Sequence, residues 1–468
     1  RKGSAMTNTD ENKSVCIGWA HGSITPDGPI QLQGQMHERI SESVHDPVTA
    51  TALAIASPDG DEAILISCDL VSAKRKNLEL IRQRVGEQLT DFNPRNLLIN
   101  TTHTHTGPTL SEGIYPQAVE GVMSPTEYAA FFADCITELA VRAWKSRQPA
   151  SISSALGHAV LGFNRRSVHA DGRAFMYGRT DAEGFVAVEG GMDPGVELLF
   201  TWNEQDEMTG VVINVACPSQ VVEQQLFISA DFWHPVREEV RTRLGDNVHV
   251  YPMCSAAGDL SPRDLIRRNR GEPSMRAVEG MNELGRRLVR AVEDALHHSQ
   301  TEKVRTPVFR HTTEDFSLPK RKVTEEEVEF AQGEMATIQK AGLDPSSKDG
   351  RIFRRHKQIV ERFETQRDDP RYTADIHVIR LGDIAIATNP FELYLEYGHQ
   401  IKACSKALQT FVLQLTNDSG AYLPTEKAVK GGGYSAMIGD NIVGPEGGAL
   451  LVKRTVELIN DLWPEEGA

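Results

Sequence analysis

The sequence predicts an α/β protein in which mixed β-sheets are flanked by helices. Two observations carry this expectation. Short apolar runs of strand length alternate with longer segments of helical period, and polar, chemistry-bearing residues gather directly after the strands. The 468 residues suffice for two or three domains or for one large one. No internal repeat or long low-complexity linker divides them.

Taken in order, residues 15–56 read as strand, long loop and strand, and 63–68 as a buried strand. Residues 77–89 form an amphipathic helix, and Leu97-Leu98-Ile99 begins the next strand. This β-α-β order puts whatever follows Ile99 at the carboxyl end of a strand, where α/β sheets place their ligands. Ser124-Pro125-Thr126-Glu127 is a capping box with proline at the first helical position, starting a helix that runs to about Trp144. Short strands over 151–163 end at Asn164-Arg165-Arg166-Ser167. Strands at 197–202 and 210–215 follow, the second running into Ala216-Cys217-Pro218-Ser219-Gln220. A helix at 236–244 and a strand at 248–253 lead to Gly258-Asp259-Leu260-Ser261-Pro262. Met275, Val278, Met281, Leu284, Leu288 and Val292 recur at helical spacing, predicting a helix over 274–297. Residues 319–372 are rich in Glu, Lys and Arg and read as a charged helical excursion, with helices near 324–340 and 353–366. A hairpin over 375–388 ends at Asn389-Pro390-Phe391-Glu392. A helix to about Cys404, a strand over 410–415 and a helix over 450–462 complete the chain.

Composition removes several function classes. A formal charge of -15 disfavours nucleic acid or an anionic membrane surface as the main partner, because both reward clustered Lys and Arg. Six cysteines are scattered without a CxxC pair, which argues against a disulfide framework or a cysteine-rich zinc module. No apolar run approaches the roughly 18 residues of a transmembrane segment. Residues 1–14 read as a cloning remnant, Arg1 to Ala5 before Met6, and a flexible N-terminus. No signal peptide follows, and the compartment stays open between cytoplasmic and secreted or periplasmic with the signal removed. The oligomeric state is not legible.

Asn100-Thr101-Thr102-His103-Thr104-His105-Thr106-Gly107-Pro108 is the most informative stretch. A strand continued through it puts His103 and His105 on one face of the pleat, so that the imidazoles converge. The alternative is a pair of solvated histidines at a strand end. Glu392 and Tyr422 lie after other strands, and imidazole with carboxylate suits zinc. The Gly431-Gly432-Gly433 triplet lacks the GK[ST] ending of a phosphate loop, and no GxSxG elbow marks a serine hydrolase. Ser261, beside Asp259, reads as nucleophile, substrate contact or turn residue.

The His-Thr-His-Thr-Gly-Pro stretch, Gly258-Asp259-Leu260-Ser261-Pro262, Pro390-Phe391-Glu392, Tyr422-Leu423-Pro424-Thr425 and Tyr434 occur in the order and approximate spacing of the neutral/alkaline ceramidase family. Asn164-Arg165, Ser229-Ala230-Asp231 and Gly444-Pro445 match as well. The chain thus resembles that family over about 15–460. The resemblance implies a catalytic domain over 15–465, without the C-terminal immunoglobulin-like sandwich of family members, that acts as a zinc amidase on the N-acyl bond of ceramide.

Carried over, His103, Glu392 and Tyr422 are metal ligands and His105 is the proton shuttle near the water. Arg165 and Tyr434 hold substrate and developing oxyanion, and Ser261 lies in the loop lining the pocket. One position departs from the pattern. Where the family carries a histidine ligand, this chain has Pro218, which cannot bind a metal. Cys217 is one residue away, but a one-residue shift along a strand turns to the opposite face. His234, at the start of the next helix, is therefore the expected replacement, with Cys217 or water as alternatives. The partner implied is a small-molecule or lipid-like acyl substrate. The altered ligand position, the missing sandwich and the charged excursion motivate an alternative, a metal hydrolase of the same fold acting on a more polar substrate, such as an ester, a glycan or another acyl compound. A further alternative is a non-catalytic binding protein that keeps the fold.

Overall fold

The computed structural model describes residues 14–271 and 275–464. Of the expected N-terminal remnant, only Ser14 is among them. Three larger sheets organise the described residues. In the first, Leu97–Thr101, Glu62–Cys68, Thr49–Ala56, Cys16–Ser23 and Gln148–Pro149 lie side by side in that order. The second has the order His249–Cys254, Met208–Val215, Gly195–Trp202, Ser151–His158. The third has the order Phe309–Pro319, Arg371–Leu381, Ile384–Thr388, Gln409–Leu413. The mixed α/β architecture read from the sequence is therefore present.

The continuous apolar runs are explained by burial on both faces. In Thr49–Ala56, Ala50, Ala52 and Ala54 pack under the helices Arg75–Gln88 and Pro125–Lys145, while Leu53 and Ile55 point the other way. That second face joins a central apolar layer shared by all three sheets. Leu65 and Leu98 of the first meet Leu199, Val212 and Tyr251 of the second and Ile379, Ile386 and Phe411 of the third. A strand buried on both sides loses polar alternation, which is why these segments read as solid hydrophobic blocks. Helices cover the outer faces, Trp233–Leu244 and Ala277–Ser299 on the second sheet, Leu395–Cys404 and Pro445–Asp461 on the third. The predicted capping box forms, with Ser124 and Glu127 bonded reciprocally at the start of Pro125–Lys145.

Each sheet contains one parallel pair: Glu62–Cys68 with Leu97–Thr101, Met208–Val215 with His249–Cys254, and Ile384–Thr388 with Gln409–Leu413. Their carboxyl ends are stitched together. Ser255 N donates to Val215 O, Gln414 N to Cys254 O and Asn417 N to Ile99 O. The loops that leave all three sheets thus start from one place.

The strand Phe309–Pro319 is absent from the sequence reading. Its FRHTTEDFSLP run is polar at most positions, and it is recruited to the sheet by antiparallel pairing along the whole of Arg371–Leu381. That pairing also locates the charged excursion. The helices Glu325–Ala341 and Lys348–Thr365 are inserted between the two strands, whose ends are closed by the Lys320 N to Pro370 O bond. They rest on the body through a small cluster of Val323, Ala331, Ile359 and Ile438. Arg362 clamps them further, donating to the carbonyls of Asn441 at 2.5 Å, Ile442 at 3.1 Å and Arg321.

Candidate active site

His103 and His105 converge, but not as neighbours on one pleat. The strand ends at Thr101, and His103 has a φ of 61°, in the left-handed region that non-glycine residues rarely adopt. The chain turns here because the hydroxyls of the Thr-rich stretch bond its surroundings rather than continue a ladder. Thr104 and Thr106 donate to Ser229 O at 2.9 and 3.0 Å, and Ser219 donates to Thr102 O at 2.8 Å. The His105 N–H donates to Ser219 O at 3.1 Å. Gly34 approaches so closely that a Cβ there would sit 2.4 Å from the His105 ring. Strain of this kind persists only when surrounding contacts over-determine it, and it concentrates at functional sites.

The result is a buried row of donor atoms. His103 Nδ1 faces Val71 O at 3.0 Å, which fixes the hydrogen on that nitrogen and leaves Nε2 as a lone pair. His103 Nε2 lies 3.4 Å from Glu392 Oε2 and 3.4 Å from His105 Nε2. His105 Nε2 is 2.9 Å from the Gln220 side-chain nitrogen, and His105 Nδ1 is 3.3 Å from Glu223 Oε2. Glu392 and Tyr422 are registered opposite each other in a short parallel pair. The Tyr422 hydroxyl accepts from Arg165 at 3.2 Å, and Arg165 also donates to Gly258 O at 2.8 Å. The Tyr434 ring meets Tyr422 edge-on at 5.6 Å.

Electrostatics sharpens these roles. Burial works against the charge of Glu392, yet His103 and Arg165 outweigh it and hold the carboxyl below its usual range. Burial also opposes ionisation of Glu223, but His105, Arg263 and Arg165 keep it a carboxylate. His105 moves the other way, because burial disfavours its imidazolium more than Glu223 restores it. Tyr422 is pushed well above the ordinary phenol range by burial and by Glu392. Two imidazoles beside a carboxylate are a donor set for a divalent cation. Donors bound at about 2.1 Å around a tetrahedral ion stand about 3.4 Å apart, the separation found on both sides of His103. His103, Glu392 and Tyr422, with His105 adjacent, are thus residues that can hold a metal. His103 is the shared member of two donor pairs; among the described residues no three His, Cys, Asp or Glu side chains close on a single point.

Above this row opens a cavity of about 550 Å³, bordered by His105, Arg165, Gln220, Glu223, Tyr422 and Tyr434. Its far wall comes from the inserted helices, through Phe330, Lys348, Ile352, Arg355 and His356. A more open groove of about 710 Å³ elsewhere, edged by Arg286, Arg287 and Arg290, contains none of the site residues.

The structure does not bring Ser261, His234 or Cys217 into this group. Ser261 is fully buried, and its hydroxyl accepts from the Arg263 N–H at 3.2 Å. The half-buried His234 sits in the first turn of Trp233–Leu244 and makes none of the contacts above. Cys217 points into the apolar cluster of Phe232 and Trp233, and burial keeps its thiol protonated. The strand-parity argument against Cys217 agrees with its direction into the apolar cluster. Sequence reasoning missed Gln220, Glu223, Arg263 and Arg355. For the first two a signal existed: they follow the Met208–Val215 strand end closely, in the segment where a ligand was sought.

No protein-family model matches this chain. A stretch of 145 residues is 27% identical to neutral ceramidase 2 of Arabidopsis thaliana, covering 29% of this chain and 18% of that protein. The matched stretch is thus under a fifth of the relative's length. The likeness in three dimensions is far broader. The crystal structure of neutral ceramidase from Pseudomonas aeruginosa superposes with a TM-score of 0.72 at 16% identity, over 96% of this chain and 74% of that one. A ceramidase complexed with C2 superposes with a TM-score of 0.69 at 14% identity, over 96% and 75%. The fold of this chain is that of the neutral ceramidases.

Proposed function

We propose that this chain is a metal-dependent hydrolase that uses an activated water to cleave the amide bond of an N-acyl substrate. The observation that carries the reading is the His103 imidazole, its Nε2 3.4 Å from both Glu392 and His105, the second of which borders a cavity. The ceramidase fold supports it. Zinc suits this donor set, and bound there it supplies Lewis acidity and lowers the pKa of water from about 16 toward about 7.

The rest belongs to the protein. Arg165 is almost wholly buried and held by Gly258 O and Tyr422, so its position costs no reorganisation when charge develops on a substrate oxygen. Tyr434, across the Tyr422 ring, presents a second donor at the cavity edge. His105 borders the same space with Glu223 beside its Nδ1, and the carboxylate offsets part of the penalty that burial puts on the imidazolium the ring forms when it carries a proton toward a leaving amine.

A specific observation favours a second reading of the substrate. Lys348 and Arg355 from the inserted helices, with Arg263, Glu223 and Glu334, bring charge to a cavity wall that Met36, Met176, Phe330, Ile352 and Ile359 otherwise make apolar. Such a mixed wall suits an acyl compound that carries a polar part beside an apolar chain.

The test combines elemental analysis with turnover. Purified protein is expected to retain zinc and to release fatty acid from an N-acyl substrate, and His103→Ala and Glu392→Ala are each expected to lose both. Full metal content in both variants would sink the site assignment. Faster release from ceramide than from any polar amide or ester would sink the polar-substrate reading alone.

A further inference from the structure

The position expected to carry the fourth protein ligand is Pro218, and neither Cys217 nor His234 borders the cavity. The residue of this segment that borders the cavity beside His105 is Gln220. The turn after the strand is pinned to the histidine loop by two bonds, Ser219 Oγ to Thr102 O at 2.8 Å and His105 N to Ser219 O at 3.1 Å. The next side chain, Gln220, is only 1% exposed and borders the cavity.

The hydrogen-bond pattern sets the direction of its carboxamide. Glu223 faces His105 Nδ1 at 3.3 Å, and a carboxylate there favours the tautomer with the hydrogen on Nδ1. His105 Nε2 is then an acceptor, so the Gln220 NH2 group turns toward it at 2.9 Å. The Gln220 Oε1 atom consequently faces away from His105. It is buried and has no hydrogen-bond partner. A buried carbonyl oxygen left so is destabilising unless something else occupies its lone pairs. His105, the ring against which the amide is held, stands 3.4 Å from the bare His103 Nε2.

We propose that Gln220 replaces the missing histidine, its Oε1 serving as a neutral oxygen ligand to the divalent cation held by His103 and Glu392. Glu223 acts through His105 as the positioning residue that keeps the oxygen, rather than the nitrogen, turned away from the imidazole. The proposal rests on the metal-hydrolase reading and extends it to a ligand set in which an amide oxygen stands where an imidazole was expected. A neutral oxygen is a weaker zinc donor than imidazole, so this site binds its metal less tightly than a histidine-completed one.

Competition against a chromophoric chelator on the full chain tests this without reference to turnover. Gln220→Ala is expected to lower zinc affinity at least tenfold, and Gln220→His to raise it to or above that of the unsubstituted protein. In the cobalt(II)-substituted protein, Gln220→His is expected to change the visible absorption bands, because nitrogen replaces oxygen at the ion. Circular dichroism and thermal melts establish that each variant is folded. An affinity in folded Gln220→Ala within twofold of the unsubstituted protein, or a cobalt spectrum unchanged in Gln220→His, overturns the assignment of Gln220 and leaves the metal reading standing. Failure of the unsubstituted protein to bind zinc or cobalt overturns both, as does an unaltered affinity in His103→Ala.

Discussion

The base of the site, where His105 and Tyr422 border the cavity, gathers His103, Glu392 and Tyr422 at or just after strand ends whose backbones are tied to one another. Opposite them, Phe330, Arg355 and His356 stand on two helices inserted between Phe309–Pro319 and Arg371–Leu381, fastened largely by arginines. The base is over-determined: His103 accepts a left-handed backbone because hydroxyls and carbonyls on every side hold it there. The wall has a small apolar cluster and relies on polar clamps. On the proposed reading, the base carries the chemistry and the wall the selectivity. Substitutions in the base should abolish turnover without changing substrate preference, and substitutions in the wall should do the reverse.

The largest effect is expected at the base. Glu392→Gln keeps the size of the side chain but removes the charge that faces His103, and kcat should fall by at least about 10³-fold with metal content reduced. Ratios of kcat/KM between a long-chain and a polar acyl substrate should stay within about twofold. A changed ratio would show that the base also selects. Removing the Tyr434 hydroxyl with Tyr434→Phe is expected to cost about 10²-fold in kcat, with little effect on metal content, if the hydroxyl stabilises the developing charge. Unchanged kcat would remove Tyr434 from the reacting group.

The same comparison explains what was legible in the sequence. Segments such as 63–68 and 210–215 announce themselves because burial on both faces leaves no polar alternation, and the 124–127 capping box states its own geometry. The Phe309–Pro319 strand does not, because its partner rather than its own pattern makes it a strand. In the site, His103, His105, Glu392 and Tyr422 are visible as residues after strand ends. The turn at His103 is not, since it depends on hydrogen bonds to Ser229 and Ser219, more than a hundred positions away. Gln220 and Glu223 were passed over because glutamine and glutamate after a strand are ordinary surface residues; only their contacts with His105 distinguish them. The wall was legible as helical and charged but not as part of the cavity, because insertion between paired strands is a tertiary fact.

The wall should yield more modest effects. Arg355 pairs with Asp440 and lies over the Tyr434 ring, its guanidinium carbon 5.1 Å from the ring centroid. The Asp440 side chain is almost fully buried. Arg355→Ala therefore leaves an uncompensated buried carboxylate, at a cost of about 3 kcal/mol. Replacing both, as Arg355→Met with Asp440→Asn, should recover most of that stability. It should also raise kcat/KM for a long-chain acyl substrate relative to a polar one, with zinc content unchanged. Equal stability of the single and double variants in chemical denaturation would show that the ion pair does not hold the wall in place.

The smallest effect concerns pH. His356 is buried in the wall, its Nδ1 lacks a partner, and Phe330 meets its ring edge-on at 5.8 Å. Burial lowers its pKa; Glu334 offsets part of this, and Arg355 adds to it. A histidine in the undocked helix takes up a proton near pH 6.5, whereas the docked one resists it. Docking of the helices is therefore fully supported above that pH and weakens as the pH falls below it. Hydrogen exchange over Lys348–Thr365, corrected for the intrinsic pH dependence, should be faster at pH 5.5 than at pH 7.5. In His356→Gln, which cannot titrate, the difference should vanish, while amides of Leu97–Thr101 at the base should be insensitive in both proteins. An equal pH response in the two proteins would show that another group loosens the wall, and a response at Leu97–Thr101 would mean that base and wall do not move independently.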